Sequence, residues 1–185
     1  FRYRDEIDIM TVCFTLDAEY DQPTVLKKYV ERNVRYNGFP DKWQFLTGEQ
    51  ETIDELIRES FMIQRDEKEP NNIATLWLVD EKGYLRGVYH AASEDAIKDA
   101  VEDIALLQKE MDEAAYEQNK ALEMLSEEPA LPVLGPPEHT VPSFALIGAD
   151  GNEFSHRNVG DRLRIVDFFF TRCPTICPIM SSQMA

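Results

Sequence analysis

An α/β sandwich is the fold class this sequence predicts, and three observations predict it. Short apolar, β-branched runs alternate with segments whose apolar residues recur at helical spacing. Two pairs of strand-like runs flank the turn sequences Glu81-Lys82-Gly83 and Ala149-Asp150-Gly151-Asn152. One apolar run, residues 164–170, leads directly into two cysteines and a proline that can open a helix. Such alternation builds a layer of strands covered by helices.

Residues 8–15 are apolar and β-branched, which predicts a strand buried on both faces. Pro23 suits a first helical turn led by Asp21, and Leu26, Tyr29 and Val30 continue at helical spacing. Trp43-Gln44-Phe45-Leu46-Thr47 reads as a second strand closed by Gly48, and Thr52, Ile53, Leu56, Ile57 and Phe61 mark a second amphipathic helix. Residues 64–72 are a polar loop. Residues 74–80 and 84–90 form a predicted hairpin. Ser93 caps the next helix, with Glu94 and Asp95 in its first turn and Ile97, Val101, Ile104, Leu107 and Met111 as its buried stripe. That pattern continues to Leu125. Unbroken to Ser126 it would be roughly 48 Å long, wider than a small domain, so its second half should break or protrude. Residues 127–142 hold five prolines and read as an extended linker. Residues 144–147 and 153–155 form a further hairpin, and 164–170 is the strand that delivers the cysteines. The chain thus divides into 1–108, a helical and proline-rich connection 109–140, and 141–185.

The net charge of −16 argues against a nucleic-acid partner, which requires a basic face, and against anionic lipid. No apolar run is long enough to span a bilayer, and no secretory signal is visible. Three cysteines do not make a disulfide framework.

Cys173 and Cys177 lie at i and i+4, exposed at the mouth of a helix that Pro178 opens. Two thiols so placed can bind a soft metal, cycle between dithiol and disulfide, or do both. The helix dipole should favour the Cys177 thiolate, and Arg172 places a positive charge next to Cys173. Structural zinc needs four ligands, and the sequence supplies no second pair. Cys13 lies mid-strand in an apolar run and reads as a core residue, the alternative being a resolving thiol. Phe168, Phe169 and Phe170 read as core. Asp167 is a carboxylate inside a buried strand and therefore needs a partner, either the thiols or a neighbouring backbone group. His139 and His156 receive no role.

The run Phe168-Phe169-Phe170-Thr171-Arg172-Cys173-Pro174-Thr175-Ile176-Cys177-Pro178 resembles the signature of the SCO/SenC proteins. Residues 14–23, with Asp17 and Asp21, are similar to that family's Asp-Pro-x-x-Asp-x-Pro segment, Ala18 standing for its first proline. Trp43 to Gly48 resembles its Trp-x-Phe-Leu-Thr-Gly strand, and residues 78–83 and 87–89 resemble its final hairpin. The resemblance covers most of 8–108 and 141–185. It implies a thioredoxin-like sandwich with a central mixed sheet, flanking helices and a final β-hairpin. It also implies copper held by Cys173 and Cys177, a role in cytochrome c oxidase assembly, an oxidase subunit or other thiol protein as client, and a cell-envelope location, usually with a membrane tether.

Two departures accompany it. The family's third copper ligand, a histidine, falls on Asn72, followed by Ile73. A regular 81–83 hairpin would place Ile73 opposite His90, which makes His90 a candidate substitute ligand. The order of segments is also reversed, because the family's cysteine strand precedes the segment that here comes first. Circular permutation, a fragment of two tandem copies, and a swapped dimer all accommodate that order. Asp17 and Asp21 lie where family residues approach the site, and their plain reading is a helix cap. The functional readings are copper and redox handling, a copper-independent thiol–disulfide oxidoreductase, or an interaction module with vestigial thiols built on the long helix and linker.

Overall fold

In the computed structural model the described residues are 9–33, 42–63, 75–120, 131–136, 138–160, 162–174, 177, 179 and 180, with 113–120 described as backbone. Seven strands form one sheet in the order β4-β3-β7-β1-β2-β5-β6. The strands are β1 (Ile9–Thr15), β2 (Trp43–Thr47), β3 (Thr75–Val79), β4 (Leu85–His90), β5 (Ala145–Gly148), β6 (Glu153–Ser155) and β7 (Leu163–Phe169). β1 is parallel to both β2 and β7, and every other pairing is antiparallel. The mixed sheet with helices on both faces is the architecture anticipated. Strands from both ends of the chain interleave, since β7 sits between β3 and β1.

The central strands are buried on both faces, which explains why β1 and β7 read as continuous apolar runs rather than alternating ones. On one face Cys13, Phe45, Leu76, Ile165 and Phe169 pack with Leu26, Tyr29 and Val30 of α1 (Pro23–Asn33) and with Ala100, Ile104 and Leu107 of α3 (Glu94–Lys120). On the other face Phe14, Leu46, Trp77 and Phe168 pack with Ile53 of α2 (Gln50–Glu55) and with Leu56 and Ile57 of the π-helical turn Leu56–Ser60 that continues it. Phe168 joins the two halves of that second layer. Its ring meets Phe14 at 5.6 Å, Phe61 at 5.1 Å and Trp77 at 5.3 Å, the first stacked and the other two edge-on, geometries aromatic pairs prefer.

Both predicted hairpins form. Gly151 adopts φ +85° in the β5–β6 turn, where the Asp150 carboxylate accepts the Asn152 N–H at 2.9 Å. Gly83 adopts φ +88° in the β3–β4 turn, where Asp80 Oδ1 accepts the N–H groups of Lys82 and Tyr84. The β3–β4 register differs from the regular one expected. Leu78 faces Gly87 but Val79 faces Leu85, so Arg86 is an extra, bulged residue and Thr75, not Ile73, faces His90. A fourth helix, α4 (His156–Val159), is a single turn that the sequence reading missed.

The bulge explains a buried cation. Arg86 donates to Asp80 Oδ2 at 2.9 Å, to both carboxylate oxygens of Glu110, and to the Leu131 carbonyl at 2.7 Å. One guanidinium therefore ties the hairpin, α3 and residues 131–141 together. α3 is unbroken through Lys120, about 40 Å at 1.5 Å per residue. Residues 131–136 and 138–141 lie along the hairpin, with Leu134 N–H bonded to the Leu85 carbonyl and Val141 N–H to that of Gly83. They are an attached strap, not the free extended linker the prolines suggested.

Removing one partner of a buried pair strands the other charge. Arg86→Ala should therefore lower unfolding free energy by about 3–5 kcal/mol in urea titrations, whereas Lys98→Ala, which breaks an exposed pair with Asp95, should leave it nearly unchanged. Equal effects would contradict this assignment.

Candidate thiol site

The parallel strands β1, β2 and β7 end on the same side of the sheet, with Thr15 level with Phe169 and Phe14 level with Leu46. The loop leaving β7 turns at once, Cys173 N–H bonding to the Phe170 carbonyl at 3.1 Å. The loop leaving β1, residues 16–22, lies beside it and holds it. The Asp21 carboxylate is fully buried. It accepts the Thr15 hydroxyl at 2.6 Å, the Thr171 N–H at 3.0 Å and the Thr171 hydroxyl. Burial raises the Asp21 pKa, and the bonds from Thr15 and Thr171 oppose that rise. Asp21 is thus an anchor between two loops and not the helix cap its position suggested.

Arg172 projects into solvent, where it pairs with Asp17 and lies 4.3 Å over the Tyr20 ring. Its charge is answered by Asp17, so it does not supply the cation beside Cys173 that the sequence implied.

The two cysteines do come together. The backbone N–H of Cys177 donates to Cys173 Sγ at 3.4 Å, and neither thiol is in a disulfide. Both are covered: Cys173 is 6% exposed and Cys177 3%. They pack with Met180, Cys13 and Phe169 in the core rather than standing open at a helix mouth. Burial is also the largest influence on Cys177 and pushes its thiol well up. Cys173 and Asp167 add to the rise, and a backbone bond with Phe170 only partly opposes it. The anticipated dipole-stabilised Cys177 thiolate is therefore overturned, because desolvation outweighs a partial charge at a helix end. Cys173, whose sulfur receives the Cys177 N–H, is the better placed of the two to carry negative charge.

Beneath the pair lie Asp167 and Cys13, level with each other across β7 and β1. Trp43 Nε1–H donates to Cys13 Sγ at 3.0 Å, and burial holds the Cys13 thiol well above its ordinary pKa. Cys13 is a core residue, as anticipated. Asp167 bonds to the Cys13 thiol and to backbone, not to the Cys173–Cys177 pair. Burial raises its pKa to about 7, the bond with Cys13 opposes the rise, and its Oδ1 has no partner among the described residues.

The histidines stand apart. His90 is exposed at the end of β4, the outer strand, which is separated from β7 by β3. Two strand spacings place it about 10 Å from β7, so the structure does not bring it to the thiols as a substitute ligand. His139 Nε2 bonds to the Ser60 carbonyl at 2.8 Å, and His156 Nε2 to Ser143 Oγ at 3.3 Å. Asn72 and Ile73 lie outside the described residues, as do Thr175, Ile176 and Pro178. Cys173 and Cys177 are a soft donor pair that fits a monovalent ion of low coordination number. Among the described residues no group of three or more His, Cys, Asp or Glu side chains could hold a metal ion.

A mixed sheet that delivers a dithiol from the end of a central parallel strand defines a thioredoxin-like protein. The chain belongs to the SCO1/SenC family, whose family model matches residues 3–108 and 134–185. That membership agrees with the thioredoxin-like fold. The SCO1 protein homolog of Bacillus subtilis (strain 168) is 30% identical over 105 residues, 54% of this chain and 53% of that protein. The matched stretch is thus about half the length of that relative. No solved structure matches. Among the described residues no helix is long and apolar enough to cross a membrane.

The raised Asp167 pKa fixes a pH dependence. Between the ordinary carboxylate value and about 7 the folded chain keeps a proton that the unfolded chain has released. Stability therefore falls as pH rises through that window and levels off above it. Asp167→Asn removes the group that titrates. In urea unfolding the variant should gain on the parent by about 2 kcal/mol between pH 5 and pH 8. A difference that stays constant over that range would contradict the buried-carboxylate account.

Proposed function

We propose that this chain handles copper and thiol redox in the maturation of cytochrome c oxidase, with Cys173 and Cys177 as the working pair. The observation that supports it best is the bond from the Cys177 N–H to Cys173 Sγ, which sets the two sulfurs side by side within a family-matched segment. The client is an oxidase subunit or another thiol protein. The setting is the cell envelope, with any tether lying outside the described residues.

The residues divide the work. Asp21 fixes the loop, the Cys177 N–H holds the Cys173 sulfur, and the covered Cys177 keeps its proton until Cys173 has reacted. In exchange with a client disulfide, the Cys173 thiolate forms a bond to one client sulfur and the client S–S bond breaks. The leaving thiolate takes up a proton. Cys177 then loses its proton and attacks Cys173 Sγ, releasing the second client thiol and leaving a Cys173–Cys177 disulfide. Two electrons and two protons pass to the client. When copper binds, both sulfurs serve as thiolate ligands that suit its monovalent state.

A second reading, copper-independent thiol–disulfide exchange, is favoured by the lack of a three-donor group among the described residues and by Asn72 at the family's histidine position. We read the reversed segment order as circular permutation.

Anaerobic titration of the reduced chain with Cu(I) should show one tightly held equivalent, lost in Cys173→Ser and in Cys177→Ser. Full removal of copper by a weak chelator, with reduction of a model disulfide retained, would transfer the conclusion to the second reading. Sedimentation should give a monomer of 21.3 kDa, and a stable dimer would overturn the permuted single chain.

A further inference from the structure

The loops that follow β1 and β2 diverge. α1, after β1, packs on the sheet face that holds Phe45 and Phe169, and α2, after β2, packs on the face that holds Leu46 and Phe168. Adjacent parallel strands whose helices leave to opposite faces open a crevice beyond their carboxyl ends, which is where open α/β sheets bind ligands. The crevice is present here, at about 570 Å³, within the range of ligand pockets.

Its lining has one sign of charge. Glu19, Glu49 and Glu153 stand on its walls, and among the described residues no lysine, arginine or histidine lines it. None of the three carboxylates has an ion-pair partner among the described residues. The helix N-terminus at Pro23 would by itself favour an anion, and three carboxylates reverse that preference. Thr47 also lines the crevice. It is 2% exposed, and its hydroxyl has no hydrogen-bond partner among the described residues. A buried orphan hydroxyl marks a place where a visiting polar group completes the bonding. No group of carboxylates among the described residues converges closely enough to hold a metal ion, so the complementary charge must be spread along a chain.

The wall of this crevice is also the clamp of the thiol loop. Ala18 N–H bonds to Gln50 Oε1 at 2.9 Å across it, while Asp17 and Asp21 of the same loop hold Arg172 and Thr171. We infer that the crevice is the client-docking site and seats a basic, Lys- or Arg-bearing segment of the client protein against the loop that clamps the thiol turn. That the occupant is the redox client rests on the function proposed above. The net charge of −16 steers such a segment toward the chain.

The test uses the whole chain carrying Cys173→Ser and Cys177→Ser, so that docking is read without thiol chemistry. The probe is a capped pentapeptide of alternating arginine and serine, followed by backbone amide shifts at low salt. Saturable shifts should concentrate at residues 18–22 and 47–50. Binding should weaken roughly tenfold in the combined Glu19→Gln, Glu49→Gln, Glu153→Gln variant, and also in Thr47→Val at unchanged melting temperature. If Thr47→Val does not fold, the charge variant alone decides. Shifts scattered over the acidic surface, binding indifferent to the charge variant, or equal binding of the glutamate–serine counterpart would each overturn the proposal. The copper and disulfide assays read the sulfurs and this assay reads docking, so either can fail while the other stands.

Discussion

The Asp21 carboxylate is the constraint on which the site depends. It joins Thr15, at the end of β1, to Thr171, in the turn that carries Cys173 and 150 positions away from Asp21 itself. Burying a carboxylate is costly, and its three donors are what make it tolerable. Hydrogen bonds to a charged group contribute about 1.5–3 kcal/mol each. That is enough to hold a short loop in one conformation against its chain entropy. The loop's geometry then follows. The turn closes on Phe170, Cys173 is buried, and the Cys177 N–H meets its sulfur. At the opposite end of the sheet, Arg86 does the equivalent work for the hairpin, α3 and the strap.

Within that frame, desolvation rather than the helix dipole sets the character of the thiols. A dipole offers a partial charge at the helix end, screened within a turn. Removing a thiolate from water is the larger effect, and it pushes the Cys177 thiol up, with Cys173 and Asp167 adding to the rise. The pair is therefore asymmetric. One sulfur is held by an N–H and the other is kept protonated by its surroundings. Asymmetry of this kind suits ordered two-step exchange, in which one sulfur attacks and the other resolves. The low exposure of both restricts the chemistry to partners that dock closely against the loop.

Much of the fold was legible because its signals are local. The β-branched runs at 9–15 and 163–169, the helix opened by Pro23, the Ser93 cap and both hairpin turns are each written within a few residues. The cysteines were legible as a pair for the same reason. What failed to show was long-range. Asp21 looks like a helix cap because its true partner is 150 positions away. Arg172 looks like a neighbour of Cys173 in sequence, yet its side chain turns to Asp17. The partner of His90 moved by two residues, one of them at the Arg86 bulge, whose contacts with Asp80, Glu110 and Leu131 no local pattern announces. The prolines of the strap advertised extension correctly but said nothing of the Leu85 and Gly83 backbone that it meets.

The most direct test of the account is to expose the reduced chain to oxidised glutathione and map the sulfurs by peptide mass spectrometry. A single internal Cys173–Cys177 disulfide should form, with Cys13 recovered as a free thiol under Trp43. A bridge to Cys13, or glutathione retained on Cys173 without closure onto Cys177, would show that the two sulfurs do not work as a pair and would contradict the account at its centre.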